Sequence, residues 1–113
     1  MHMNLLAILD GTKSLENLTD PYFGYKFDFY DESSKRLCNL FRVRIYGNRK
    51  LEFWCGLARV RDIDYIDVKN VSAVLTPDGE WHDDMNLESF DDLEDQYLSL
   101  YPNCIAVAVD YHV

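Results

Sequence analysis

Between Asp20-Pro21 and Asp31-Glu32-Ser33-Ser34, aromatic residues fall at every second position: Phe23, Tyr25, Phe27 and Phe29, with Gly24, Lys26 and Asp28 between them. Only an extended backbone puts alternate side chains on one face, so Tyr22–Tyr30 reads as a strand buried on its aromatic side. Such a strand has to be paired and covered, which commits the chain to a sheet. The next segment, Arg36–Tyr46, carries Leu37, Phe41, Val43 and Ile45 on one face, with Asn39 intruding, and Cys38, Leu40, Arg42, Arg44 and Tyr46 on the other. Gly47-Asn48 turns the chain, and Leu51–Arg59 reads as a returning strand. Connections this short join antiparallel neighbours, so the three segments read as a meander.

The period changes further along. Leu87, Phe90, Leu93, Tyr97, Leu98 and Tyr101 recur at helical spacing and form one apolar stripe. Ser89-Phe90-Asp91-Asp92 has capping-box spacing, with Asp in the place usually held by Glu, and Pro102 ends the helix. Ile105, Val107, Val109 and Tyr111 then alternate with Ala106, Ala108 and Asp110, and apolar residues on both faces predict a central strand. Arg59–Thr76 has no clean period and reads as one or two short strands with a turn near Lys69-Asn70, ahead of a turn at Pro77-Asp78-Gly79. The apolar run at Met3–Leu9 reads as a short helix or a strand, with helix favoured, broken by Asp10-Gly11-Thr12, after which Leu15 and Leu18 tuck a helical turn or loop onto the core.

The expected fold is therefore α+β: an antiparallel sheet of about four to six strands, one main C-terminal helix packed on a face, and a final central strand. With 113 residues, one globular domain over 1–113 is expected. Eight Tyr, six Phe and two Trp exclude a disordered chain. No apolar stretch is long enough to span a bilayer as a helix, and the first residues lack the basic flank of a secretory signal. The three cysteines, Cys38, Cys55 and Cys104, match no zinc or redox spacing. They are expected to be reduced, buried thiols on strands, which fits a reducing cytoplasm.

Charge is divided sharply along the chain. All 11 lysines and arginines lie at or before Lys69, where they face 10 acids; from Asn70 onward there are 10 acids and no lysine or arginine. Lys35–Arg61 holds eight bases against the single acid Glu52. In the acidic part, Glu88, Asp91, Asp92 and Asp95 have the i, i+3, i+4, i+7 spacing of one helix side, and Asp78, Glu80, Asp83 and Asp84 surround Trp81 and His82. Like charges four apart on a helix cost roughly 0.2–0.5 kcal/mol per pair, so Glu88/Asp92 and Asp91/Asp95 read as unfavourable for the isolated helix. In the basic part, Arg42 and Arg44 share a face, and Arg59 and Arg61 join them if the strand continues; the four form a candidate phosphate-binding face.

No catalytic constellation accompanies these charges. His82-Asp83 has no Ser or Cys nucleophile in a recognisable turn beside it. The acids of Asp78–Asp84 do not follow calcium-loop spacing, and five glycines supply no phosphate loop. No cofactor and no metal are expected, and the reading leans away from an enzyme.

The function these features favour is binding. A rigid acidic surface presents the negative field that nuclease and nucleic-acid-binding sites are built to receive, so the chain reads as an inhibitor that occupies a basic site on a partner protein. The partner-binding residues would be Asp78, Glu80, Trp81, Asp83, Asp84, Glu88, Asp91, Asp92 and Asp95, with Trp81 as an aromatic anchor. In type, though through no shared motif, the chain is similar to immunity proteins that neutralise nuclease toxins and to phage-encoded anti-defence inhibitors of nucleic-acid enzymes. The rival is a nucleotide- or RNA-binding module that uses Arg42, Arg44, Arg59 and Arg61; the overall acidity makes direct nucleic-acid binding the weaker expectation.

Overall fold

The strand around which the molecule is organised is β9 (Ile105–His112), seen in a computed structural model that describes residues 3–19, 24–29, 40–45 and 51–112. One edge of β9 pairs antiparallel along its length with β1 (Met3–Leu9), from Met3↔Tyr111 to Leu9↔Ile105. Its other edge is shared by two short strands: β2 (Lys26–Phe29) takes Val109–His112 and β5 (Leu57–Arg59) takes Ile105–Val107. Beyond β1 lie β7 (Ala73–Leu75), parallel to it, and β8 (Trp81–His82), which completes a hairpin with β7. A second, three-stranded sheet runs β4 (Leu51–Cys55), β3 (Phe41–Ile45), β6 (Ile63–Ile66). Among the described residues the α-helices are α1 (Leu15–Thr19) and α2 (Phe90–Gln96), and short 3-10 turns occupy Val60–Asp62, Val68–Asn70 and Leu98–Leu100.

The chain is α+β, with α2 on one face of the main sheet and β9 as its internal strand. Leu6, Ile8, Val74, Ala106 and Ala108 meet Phe41, Val43, Ile63 and Ile66 of the second sheet and Leu93 and Leu98 of the helical segment. The opposite face gathers Leu5, Ala7, Leu75, Val109 and Tyr111 under Leu18, Tyr25, Phe27 and Trp81. Each fully buried aliphatic side chain in these layers contributes about 1.5–3 kcal/mol relative to exposure. Because both faces are covered, β1 is apolar on both sides, and Leu5 through Ile8 are all fully buried. Asp110 is the exception in β9: it is 1% exposed and sits in register between Asn4 and Asp28.

Several local expectations hold. The aromatic alternation is strand over Lys26–Phe29, with Tyr25 in the bend just before it, and Tyr25 and Phe27 pack on the covered side. Leu15–Thr19 is the expected helical turn, and Leu18 is buried beneath it. Thr76-Pro77-Asp78-Gly79 forms the β7–β8 turn: the Gly79 N–H donates to the Thr76 carbonyl at 2.9 Å, and Gly79 takes φ +88°, which L side chains disfavour. The Ser89 capping box is complete, its hydroxyl accepting from the Asp92 N–H while the Asp92 carboxylate accepts from the Ser89 N–H.

Others are corrected. Met3–Leu9 is a strand, not a helix: seven residues apolar on both sides suit a doubly covered strand, and periodicity alone cannot separate the two. The sheet is mixed rather than wholly antiparallel, because β1 and β7 run parallel. The meander is broken: β3 and β4 pair antiparallel as expected, but β2 joins the other sheet on β9. Leu51–Arg59 is not one strand, since Gly56 passes the chain from the second sheet to the main one, its carbonyl accepting the Ala108 N–H at 2.7 Å. The helix covers only Phe90–Gln96 before tightening into the turn at Leu98–Leu100. Its last turn carries Glu94 and Asp95 and no base, an arrangement the helix dipole opposes. Cys55 and Cys104 are half-buried rather than buried, and Cys104 lies just ahead of β9, not within it. Phe23, Leu37, Cys38 and the turns at Asp31–Ser34 and Gly47-Asn48 lie outside the described residues.

Candidate functional site

The acidic residues divide by what their carboxylates do. Asp78 closes the β7–β8 turn, accepting from the Thr76 hydroxyl and from the Glu80 N–H at 3.1 Å. Those bonds, the Thr76 bond foremost, hold its carboxyl below the ordinary 3.8. Asp92 accepts from the backbone N–H groups of Glu88 at 2.9 Å and Ser89 at 3.1 Å. Glu88 precedes the helix, so Glu88 and Asp92 are not a repelling pair on its side; the Asp92 charge is used on backbone donors. Asp83, Asp84, Glu88, Asp91 and Asp95 are exposed, and no described lysine or arginine comes within 4.0 Å of any of them. Glu80 meets His82, at 4.0 Å.

Trp81 belongs to a packed aromatic group. Tyr25 stacks on it at 5.4 Å with planes 10° apart, Tyr111 meets it edge-on at 5.1 Å, and Phe27 stands at 6.3 Å. Its ring covers the main sheet beside the acidic loop. His82 is similarly engaged, with Nε2 3.1 Å from the Thr76 hydroxyl and its ring against Tyr97. The same hydroxyl also lies within hydrogen-bond distance of Asp78 and of the Glu80 carbonyl, and Thr76 is buried.

The four arginines of the candidate phosphate face come from different elements. Arg42 and Arg44 lie on β3, Arg59 on β5 of the other sheet, and Arg61 in the turn at Val60–Asp62. The break at Gly56 is what separates them. Arg42 Nε donates to Asp64 Oδ1 at 3.0 Å, and its guanidinium carbon lies 4.9 Å from the Tyr65 ring centre and 6.0 Å from that of Trp54. Arg61 and Glu94 line a shallow groove of about 180 Å³ with Val60, Ile63, Leu98, Ser99 and Pro102. That volume is below the roughly 300–1,000 Å³ of small-molecule sites. Among the described residues no three His, Cys, Asp or Glu side chains are placed to hold one metal ion.

The arrangement around Arg42 was not legible as a site in the sequence. Trp54, Arg42 and Tyr65 form one row across β4, β3 and β6, by the registers Arg42↔Trp54 and Arg42↔Tyr65. A bulge in β6 shifts the register so that Val43 meets Ile63, leaving Asp64 as the extra residue. Trp54 and Tyr65 meet at 6.2 Å, edge to face, yet are 45% and 37% exposed. Tyr65 also reaches Phe90 at the start of α2, 5.9 Å between ring centres. The available signal was only that Trp54 alternates with the inward-facing Cys55 on a strand carrying no other outward apolar residue. Comparison with protein-family models, with curated proteins and with solved structures finds no match to this chain.

Proposed function

We propose that the protein is a binding protein that occupies a lysine- and arginine-rich site on a partner, as a nuclease inhibitor or an inhibitor of a nucleic-acid-binding enzyme does. The observation that carries this reading is the set of exposed carboxylates at Asp83, Asp84, Glu88, Asp91 and Asp95 without a described lysine or arginine in ion-pair range. A carboxylate left in water keeps its full field, and a basic partner gains from it in association rate and selectivity. Asp78 and Asp92 support the surface by fixing the turn and the helix start; Trp81 supports it from beneath. Activity of this kind needs no chemistry from the chain. The free thiol of Cys104 supports a cytoplasmic setting.

The test is retention of partners by the immobilised chain from nuclease-treated lysate across a salt series, beside the variant Asp91→Lys with Asp95→Lys. Basic proteins retained by the native chain and lost from the variant, with retention falling as salt rises, are the expected result. Equal retention by both forms at every salt concentration overturns the reading.

A further inference from the structure

We propose that the outer face of the second sheet is the anchoring centre of that interface: Trp54 and Tyr65 receive arginine and lysine side chains of a basic partner protein. The inference rests on the reading above and names the contact it lacked, since Trp81 is packed against Tyr25 and Tyr111.

The two rings are prepared for contact. Each sits on a paired strand, they brace one another edge to face, and the Arg42 guanidinium supports both from the middle strand. Rigid aromatic residues lose little conformational freedom on binding, and Trp, Tyr and Arg are the residues in which binding energy concentrates.

Charge selects the occupant. The Arg42 charge is met by Asp64, so among the described residues this row offers no spare cation to a phosphate. The aromatic row ends at Phe90, with Asp91 next in the chain and Glu88 two residues before it, both in the exposed acidic set. Aromatic faces attract guanidinium and ammonium groups, and flanking carboxylates add to that attraction. The same carboxylates repel nucleic-acid phosphate, and they repel a second copy of a chain with net charge −9.

The experiment titrates the native, isotope-labelled chain with a short arginine-glycine repeat peptide and, separately, with single-stranded oligouridylate. Binding is read from the indole N–H signals of Trp54 and Trp81 and from peptide anisotropy over a salt series. The expected result is that the peptide moves the Trp54 signal and not the Trp81 signal. Trp54→Ala with Tyr65→Ala should weaken peptide binding about tenfold with the salt dependence kept, the loss typical of an anchor residue. Asp91→Lys with Asp95→Lys should weaken binding and flatten the salt dependence. An unmoved Trp54 signal, with the aromatic double variant binding like native while the charge reversal still weakens binding, overturns this inference and leaves the acidic reading standing. A charge reversal without effect overturns the acidic reading and this inference with it. A Trp54 signal moved by oligouridylate and not by peptide overturns the choice of partner, and binding of neither probe overturns the anchor.

Discussion

The molecule carries two tryptophans on short strands, and their surroundings differ. Trp81 on β8 is enclosed by Tyr25, Phe27 and Tyr111, and its ring closes one face of the main sheet. Trp54 on β4 meets Tyr65 and the Arg42 guanidinium on the outer face of the second sheet and remains 45% exposed. Both groups are aromatic and both are ordered by cross-strand register. One group is finished by the fold, whereas the other has its geometry fixed and its faces still open to solvent. The same division recurs among the acids, where Asp78 and Asp92 bind backbone N–H groups while Asp91 and Asp95 face water. Residue type and charge therefore do not identify a recognition surface; what each group already contacts does.

The largest effect that tests this contrast is on stability. Trp81→Ala should cost about 3 kcal/mol, the low end for a large core aromatic because the ring is half-buried. Trp54→Ala should cost about 1 kcal/mol or less, since it forfeits one edge-to-face pair and part of a cation–π contact. Urea unfolding of the two variants side by side checks this; equal losses would erase the distinction between a closed and an open group.

The acids give the next contrast. Asp92→Ala removes half of the capping box and should cost about 1 kcal/mol, whereas Asp91→Ala should stay within about 0.5 kcal/mol. Thermal unfolding near neutral pH separates them. Replacing Asp91 and Asp95 together by Lys should change stability by no more than about 0.5 kcal/mol, because a base at position 95 in the last turn suits the helix dipole and offsets the favourable acid lost at Asp91.

Titration sharpens the comparison further. The folded Asp78 carboxyl lies below 3.8 because of its Thr76 bond, so its stabilisation is fully present above that value and is lost as pH falls through the lower folded one. The stability difference between native and Asp78→Asn should accordingly shrink in strong acid, as measured by urea midpoints across pH. Tyr111 behaves in the opposite sense. Burial first, then the Asp83 charge, hold its hydroxyl protonated above the ordinary 10, so that stabilisation is present below pH 10 and lost as pH rises beyond it. Spectrophotometric titration of the tyrosines should show at least one that ionises only as the fold gives way.

Much of this organisation is local and could be read from the chain. Alternation in Lys26–Phe29 and in Ile105–Tyr111 specifies strands because side chains two apart share a face; Phe90 and Leu93 mark the apolar side of the helix; Ser89 and Asp92 specify the cap; and Pro77-Asp78-Gly79 specifies a turn that needs one positive φ. These are interactions among residues a few positions apart, where backbone geometry alone determines who meets whom. Which strands pair is a different matter. Nothing local in Met3–Leu9 distinguishes a doubly covered strand from a helix, or directs it to lie parallel to Ala73–Leu75. Nothing local splits Leu51–Arg59 between two sheets, and that split disperses the arginines the sequence appeared to align. Trp54 and Tyr65 meet across a third strand through a register set by a bulge, so only the assembled sheet placed them together. The sequence by itself determined the local turns, the helix cap, the final strand and the uneven charge. The tertiary structure decided which aromatic and acidic groups remain open, because that depends on long-range pairing, where the burial of both sheet faces outweighs any preference of a single segment.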